Sequence, residues 1–368
     1  MKTEIAIDGE EILINGRPTY QSVEYHGKPV ECLLFNSRMV QAIVDDEDPE
    51  TRGLWAYPDT GQWDAERNTN HFCAMLPAYR SHGLLAVTIG LQGGGSVYRP
   101  EVWDHCIFSG FSADGALKDA YRKRLLRVLN AADDCGMIVI INLFYWKQIR
   151  PIPDDRTVVK AVEHAADFLL NTGYRNILID VANESAPWWT RQLGRADHIH
   201  RLIHAMKSVR VNGRRLLVGC STGGDNLPAE QWLDAEDISF PHGNGNTPQQ
   251  LRIRLGKLRG MDAFLKRPRP LCINEDGVSL DNLEAAVDEY ASLRLLPAPV
   301  IAIALVALVG ITDPLSRILV YAAGFPVAVN VFIMASEYNA DAEFASQSIF
   351  RTTLASAVTL SALVALYR

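Results

Sequence analysis

Residues 177–184 read Ile177-Leu178-Ile179-Asp180-Val181-Ala182-Asn183-Glu184. An apolar run of strand length passes directly into a polar Asn-Glu pair. A strand that is apolar on both faces belongs in a parallel sheet covered by helices on either side. Its abrupt polar end marks where the chain leaves the core for water.

Similar runs recur on both sides of this stretch, at Cys32–Phe35, Leu84–Ile89, Met137–Leu143, Leu216–Cys220, Ile238–Phe240 and Leu271–Ile273. Helix-type segments separate most of them, the clearest being Leu117–Ala132, Thr157–Leu170, His198–Val209 and Asp281–Leu293. The first two stop at Asp133-Asp134-Cys135-Gly136 and Asn171-Thr172-Gly173, where glycine supplies the left-handed cap that ends a helix. This alternation predicts an α/β fold. Strands that each end in polar residues suit a (β/α)8 TIM-type barrel, with its site at the carboxyl ends of the strands, better than an open doubly wound sheet. Gly93-Gly94-Gly95-Ser96 follows a strand but matches neither dinucleotide nor P-loop spacing, and is read as a loop at the site mouth. Ahead of the barrel, Glu4–Ile7 and Glu11–Ile14 flank Asp8-Gly9-Glu10 as a hairpin that plugs or flanks the larger fold. The expected domains are a hairpin over 1–20, a barrel over 21–292 and a hydrophobic all-α tail over 293–368.

The tail is unlike the rest of the chain. Of its residues only four are acidic and four basic, so all of the net charge of −7 lies before Leu293. Its apolar stretches are Pro299–Ile311, Leu315–Ala335 and Ile349–Tyr367, broken by Thr312-Asp313-Pro314 and by Ser336–Ser346. The second and third approach the roughly 20 residues that span a bilayer, so a membrane partner is expected through residues 298–367. There is no basic footprint for nucleic acid. Met1–Asp8 has no apolar leader core, so the N-terminal domain is expected in the cytoplasm, with the tail as a candidate anchor. Cys32, Cys73, Cys106, Cys135, Cys220 and Cys272 lack CxxC spacing and read as free thiols, several of them buried, with disulfides or metal ligands as the alternative.

Retaining cleavage of a glycosidic bond needs two carboxyl groups about 5–5.5 Å apart. Positions distant in sequence meet that need when both end strands on one barrel face. Glu184 ends the fourth strand by this count, and Leu271-Cys272-Ile273-Asn274-Glu275 runs the seventh into a second Glu. One Glu after a strand says only that the strand has reached water. Two, each preceded by Asn and three strands apart, ask for a shared purpose.

These residues resemble the signature of the TIM-barrel clan of retaining glycoside hydrolases. The longer text is similar to a cellulase-like bacterial branch in residues 35–69, 83–94, 176–185, 241–246 and 273–277, a resemblance covering about residues 12–292. It implies Glu184 as general acid/base, Glu275 as nucleophile, and Asn183 as hydrogen-bond partner of the substrate 2-hydroxyl. The implied substrate is an oligo- or polysaccharide, and no metal or other cofactor is called for.

Other positions follow from the chemistry. A nucleophile must stay ionised, which a nearby cation favours. Arg38 in Asn36-Ser37-Arg38 is the candidate, unless it pairs instead with Asp45 or Asp46. Gln92, Asn142 and His242 follow strands and are candidates for contacts to hydroxyls or carboxylates, with a loop role as the alternative for His242. Sugar rings stack on aromatic faces, so Tyr145 and Trp146 after strand three are candidate platforms. Trp55, Tyr57, Trp63 and the Trp188-Trp189 pair are further choices.

The hydrolase resemblance stops near Ser292, in Tyr290-Ala291-Ser292-Leu293-Arg294-Leu295-Leu296. From there the chain resembles the last three membrane helices of auxin-efflux-carrier-type permeases. Residues 322–366 carry this likeness, with Phe325-Pro326, Asn330 and Glu337-Tyr338. The expected barrel therefore lacks its native eighth strand unless Val300–Leu308 substitutes, because seven strands leave two unpaired edges. Three functions stay open: an active retaining β-glycosidase, an inactive or carbohydrate-binding truncated barrel, and a membrane transport component. A join of this kind arises by gene fusion, frameshift or a mis-joined gene.

Overall fold

The computed structural model describes residues 1–94, 105–187, 189–224, 226–277 and 281–294. The three apolar tail stretches, Val300–Leu308, Gly95-Ser96 and Trp188 lie outside the described residues. Among the described residues, no helix is long and apolar enough to cross a membrane.

The N-terminal hairpin pairs β1 (Ile5–Asp8) with β2 (Glu11–Ile14) in antiparallel register, Ile5 opposite Ile14, and β2 also pairs with β3 (Arg17–Pro18). Gly9 turns the hairpin at φ +57°, a conformation costly for any residue with a Cβ. Alternation puts Ile5 and Ile12 on one buried face, where they join Leu34, Ala86, Ile138, Leu178, Ile238 and Cys272. The hairpin thus packs on residues at or near the starts of the barrel strands. A small ribbon of β4 (Glu24–Tyr25) and β5 (Lys28–Pro29) follows.

The barrel opens with β6 (Asn36–Arg38), one turn later than the apolar run Cys32–Phe35 predicts. β7 (Ala86–Gly90), β8 (Ile138–Phe144), β9 (Ile177–Ala182) and β10 (Leu217–Gly219) follow in parallel, each beside its predecessor. Every residue of β7, β8 and β9 is buried, as strands covered on both faces require. Past Cys220 the strand resumes as β11 (Ser221–Thr222), which pairs with β12 (Phe240–Pro241). Ser239, just before β12, bridges Leu271 of β13 (Leu271–Ile273), and β13 pairs in parallel with β14 (Ala291–Leu293).

Contrary to the expectation of a missing eighth strand, β14 closes the ring. Arg294 bridges Asn36 in parallel, and the Leu34 backbone N–H donates to Ser292 Oγ at 2.6 Å. The resemblance stops near Ser292, and the helix expected over Asp281–Leu293 also covers the residues that form this strand. The helix there, Leu283–Asp288, stops short, and Tyr290 adopts φ 49°, a left-handed turn that redirects the chain into three buried residues. A closed ring leaves no sheet edge, which is reason enough for so short a strand to hold.

The helices lie between strands: α1 (Ala65–Ser81), α2 (Asp119–Cys135), α3 (Asp155–Asn171), α4 (His200–Ser208), α5 (Glu230–Ala235), α6 (Pro248–Arg259), α7 (Asp262–Lys266) and α8 (Leu283–Asp288). Local chemistry sets their ends. Asp154 caps α3 by accepting the Thr157 N–H, Thr247 and Gln250 form a reciprocal capping box on α6, and Gly136 ends α2 at φ 69°. α1 has no simple apolar period and carries Pro77 inside it, so periodicity alone does not announce it. All six cysteines are free, with Cys32, Cys106, Cys220 and Cys272 buried.

Candidate active site

The carboxyl ends of β6, β9, β11, β12 and β13 converge on one cluster of polar side chains. β9 ends at Ala182, and Asn183 and Glu184 follow as a turn. Glu184 takes φ 51°, rare for a residue with a long side chain. Two bonds hold its backbone there: its N–H donates to Ser221 Oγ at 3.1 Å, and its carbonyl accepts Trp189 Nε1–H at 3.0 Å. Strain of this kind persists only where the surroundings over-determine it, as they do at functional sites.

Glu275 follows β13 and faces Glu184 across the mouth. Arg38 Nε lies 2.8 Å from Glu275 Oε2, and the same guanidinium donates through Nη2 to Asn183 Oδ1. Asp45 and Asp46 are engaged elsewhere, Asp45 with Arg52 at 2.7 Å and Asp46 with Thr51 Oγ1 and Trp55 Nε1, each at 2.7 Å. His242, wholly buried, places Nδ1 at 3.0 Å from Glu184 Oε1 and at 3.6 Å from Glu275 Oε2. Asn244 donates through Nδ2 to Glu275 Oε1 at 2.7 Å and to Glu184 Oε1 at 3.3 Å. Gly243 between them has no room for a side chain, because a Cβ there would meet Asp276 Oδ1 at 2.4 Å.

Burial alone would raise the Glu275 carboxyl, but Arg38 foremost, then His242 and the Asn244 amide, outweigh it and hold the group down at about 2. Arg294, after β14, adds further positive charge. Glu275 is therefore ionised at any ordinary pH.

Beneath the mouth, Asp180 of β9 accepts the Ser221 N–H and Asn274 Nδ2–H, each at 3.0 Å, and Asn274 Oδ1 lies 3.0 Å from His242 Nε2. Burial raises the Asp180 carboxyl, with His242, Asn274 and Arg38 opposing.

Of the residues singled out from sequence, Arg38, Asn183, Glu184, His242 and Glu275 come together. Asn142 sits buried on β8 with its amide toward the Asp180 carbonyl at 3.4 Å. Gln92 spends its amide inside the fold, donating to Ser109 Oγ and the Gln148 carbonyl and accepting the Tyr145 N–H. Tyr145 is buried beside Gly94 and Trp146, their rings 6.2 Å apart, and Lys147 Nζ lies 5.0 Å from the Trp146 ring. Trp55 and Trp63 turn their indole N–H groups to Asp46 and Asp45, and Trp63 stacks with Tyr57. Asn244, Asn274, Asp180 and Ser221 were not singled out from sequence. The Asn244 signal was present, two residues past His242 on the same strand-end loop.

Glu184, His242 and Glu275 bring one donor atom each within 4.8 Å of one another, a set able to hold a divalent cation. Arg38, at 2.8 Å from Glu275, already supplies positive charge at that point. The trio fits proton handling better than metal binding.

Three comparisons bear on this chain. The family described as Membrane transport protein matches residues 274–364, a range that starts at the foot of Glu275 and takes in β14. No curated protein matches. Among solved structures, a glycoside hydrolase family 5 enzyme from Prevotella bryantii B14 is similar at 11% identity over 71% of this chain and 87% of its own, with a TM-score of 0.46. A GH5-4 broad specificity endoglucanase from Clostridium longisporum is similar at 12% identity over 71% and 84%, with a TM-score of 0.45. The chain is thus similar to the Membrane transport protein family over residues 274–364.

Proposed function

We propose that the barrel is a retaining glycoside hydrolase acting on β-linked bonds of an oligo- or polysaccharide, with Glu275 as nucleophile and Glu184 as acid/base. One observation carries this reading: the two carboxylates face each other with oxygens within 4.8 Å, and among the described residues only Glu275 of the two is ion-paired to an arginine. Retention calls for about 5–5.5 Å between carboxyl groups, and inversion for about 6.5–9.5 Å to admit a water between them.

The asymmetry supports this division of roles. Glu275, held ionised by Arg38, attacks the anomeric carbon while Glu184 gives its proton to the departing oxygen. The covalent intermediate neutralises Glu275. Glu184, now unprotonated, then takes a proton from the water that attacks the anomeric carbon and releases Glu275. Asn183 supports this sequence, since Arg38 occupies its Oδ1 and leaves its Nδ2–H groups to donate to a sugar hydroxyl. The closed ring favours an active barrel over an inactive remnant, because both carboxylates are held by partners from neighbouring strands.

Glu275→Gln is the direct test. Turnover of an aryl β-glycoside should fall to background, and unchanged turnover would overturn the assignment. The match of residues 274–364 favours a second property, membrane association through residues 298–367. Full-length protein should stay with membranes through a carbonate wash, and release into the soluble fraction would count against an anchor.

A further inference from the structure

Three polar side chains with no solvent exposure at all, Asp180, Asn274 and His242, form one file that leads from inside the barrel to the two carboxylates. Burying such a file is costly unless every group in it is bonded. Nothing in the proposed reaction touches Asp180, which raises the question of why a carboxyl is buried there.

The answer lies in donor and acceptor logic. An ionised carboxylate accepts only. When ionised, Asp180 accepts the Ser221 N–H on one oxygen and the Asn274 amide on the other, and Asn274 then turns its carbonyl oxygen to His242. That oxygen can only accept, so His242 carries a proton on Nε2. Its Nδ1 then faces Glu184 Oε1 at 3.0 Å. Two acceptors cannot meet at that distance, so one proton lies between them, either on Glu184 or on His242. A neutral Asp180 would permit the opposite arrangement, with Asn274 reversed and His242 protonated on Nδ1 alone.

We propose that Asp180 is a positioning residue which, through Asn274, fixes His242 as its Nε2–H form, so that Nδ1 can accept and Glu184 can carry the proton of their contact and give it to the leaving group. The inference deepens the hydrolase reading and rests on it for the role of that proton. The ring also feels Glu275 and Arg38 at the mouth and Asp276 beside Gly243, while Cys220 and Cys272 flank Asp180 inside the barrel.

Nitrogen NMR of imidazole-labelled full-length protein, with His242 assigned by substitution, tests the file without any substrate. The expected spectrum has a protonated Nε2. A neutral ring protonated on Nδ1 alone would overturn the proposal. Asp180→Asn should then move the ring toward the Nδ1–H form, lower kcat by roughly tenfold to a hundredfold with KM little changed, and shift the basic limb of the pH–rate profile to lower pH. An unmoved ring and an unmoved limb in a folded Asp180→Asn protein would also overturn it. Should that variant fail to fold, the spectrum of the unsubstituted chain still decides. If the protein hydrolyses no glycoside yet gives the expected spectrum, the file stands and the hydrolase reading falls.

Discussion

Asn244 donates from a single amide nitrogen to Glu275 at 2.7 Å and to Glu184 at 3.3 Å, and so spans the two carboxylates. This nitrogen lowers the cost of holding two acidic groups close together in a partly buried mouth. Asn244→Ala is expected to lower kcat by roughly tenfold or more with its melting temperature little changed, since such preorganised donors are worth that much or more. Asn244→Asp should be worse, because it adds a third carboxylate. Steady-state kinetics beside thermal melts separate the two effects, and an Asn244→Ala protein with full activity would refute the bridging role.

Arg38 is the main reason Glu275 stays ionised against its burial. In Arg38→Gln the acid limb of the pH–rate profile should move upward, as the Glu275 carboxyl rises from about 2 toward the ordinary carboxylate range. The same group has a stability consequence with a definite sign. A carboxyl whose folded value is depressed stabilises the fold above its unfolded value of 4.5, and that contribution is lost as pH falls toward about 2. Denaturant melts between those limits should show a shallower acid loss in Arg38→Gln than in the unsubstituted chain.

Glu184→Gln removes the proton donor and leaves the nucleophile. Substrates with poor leaving groups should lose about a hundredfold or more, as general acid catalysis is typically worth. An aryl glycoside with an acidic phenol should lose much less in the first step, because its leaving group needs no proton. Equal losses on both substrates would argue against Glu184 as the donor.

Buried Glu236 behaves in the opposite sense from Glu275. Burial pushes its carboxyl up to about 8, although Ser239, Arg269 and the Trp232 indole N–H oppose the shift. The folded chain then binds a proton that the unfolded chain has lost above about 4.5, so this group's contribution to stability falls as pH rises from about 4.5 to about 8. Glu236→Gln should flatten that slope and melt higher than the unsubstituted protein at pH 9. Parallel slopes in the two proteins would show that Glu236 does not titrate in this window.

Closure of the ring depends on very little chain. Leu293 is fully buried at the end of β14, beside Arg294, which bridges Asn36. Leu293→Ala is expected to cost about 2–5 kcal/mol, as core truncations of this size do. It should also weaken turnover, because β6 carries Arg38. Denaturant unfolding and kinetics on one preparation check both.

What could be read from the sequence was whatever a strand announces by its own composition. β8 and β9 are apolar throughout, so their ends, and with them Asn183 and Glu184, were visible. The eighth strand was not, because Ala291-Ser292-Leu293 is too short to show a period and follows a helix without a glycine. Only the left-handed Tyr290 separates the two. The roles of Asp180 and Ser221 were hidden for a different reason: a polar side chain gains a role from what surrounds it, and partners drawn from separate strands leave no local trace. Gln92 shows the converse, a polar side chain after a strand whose bonds all turn inward.

The left-handed backbone at Glu184 has a consequence for how this protein could be improved or degraded. A glycine would occupy φ 51° without steric cost, and it would abolish the chemistry. Selection for heat resistance alone would therefore drift toward Glu184→Gly, and a library screened only for soluble, well-folded barrels should enrich inactive ones. Activity has to be part of any such screen, because at this position the folding landscape and the reaction ask for different residues.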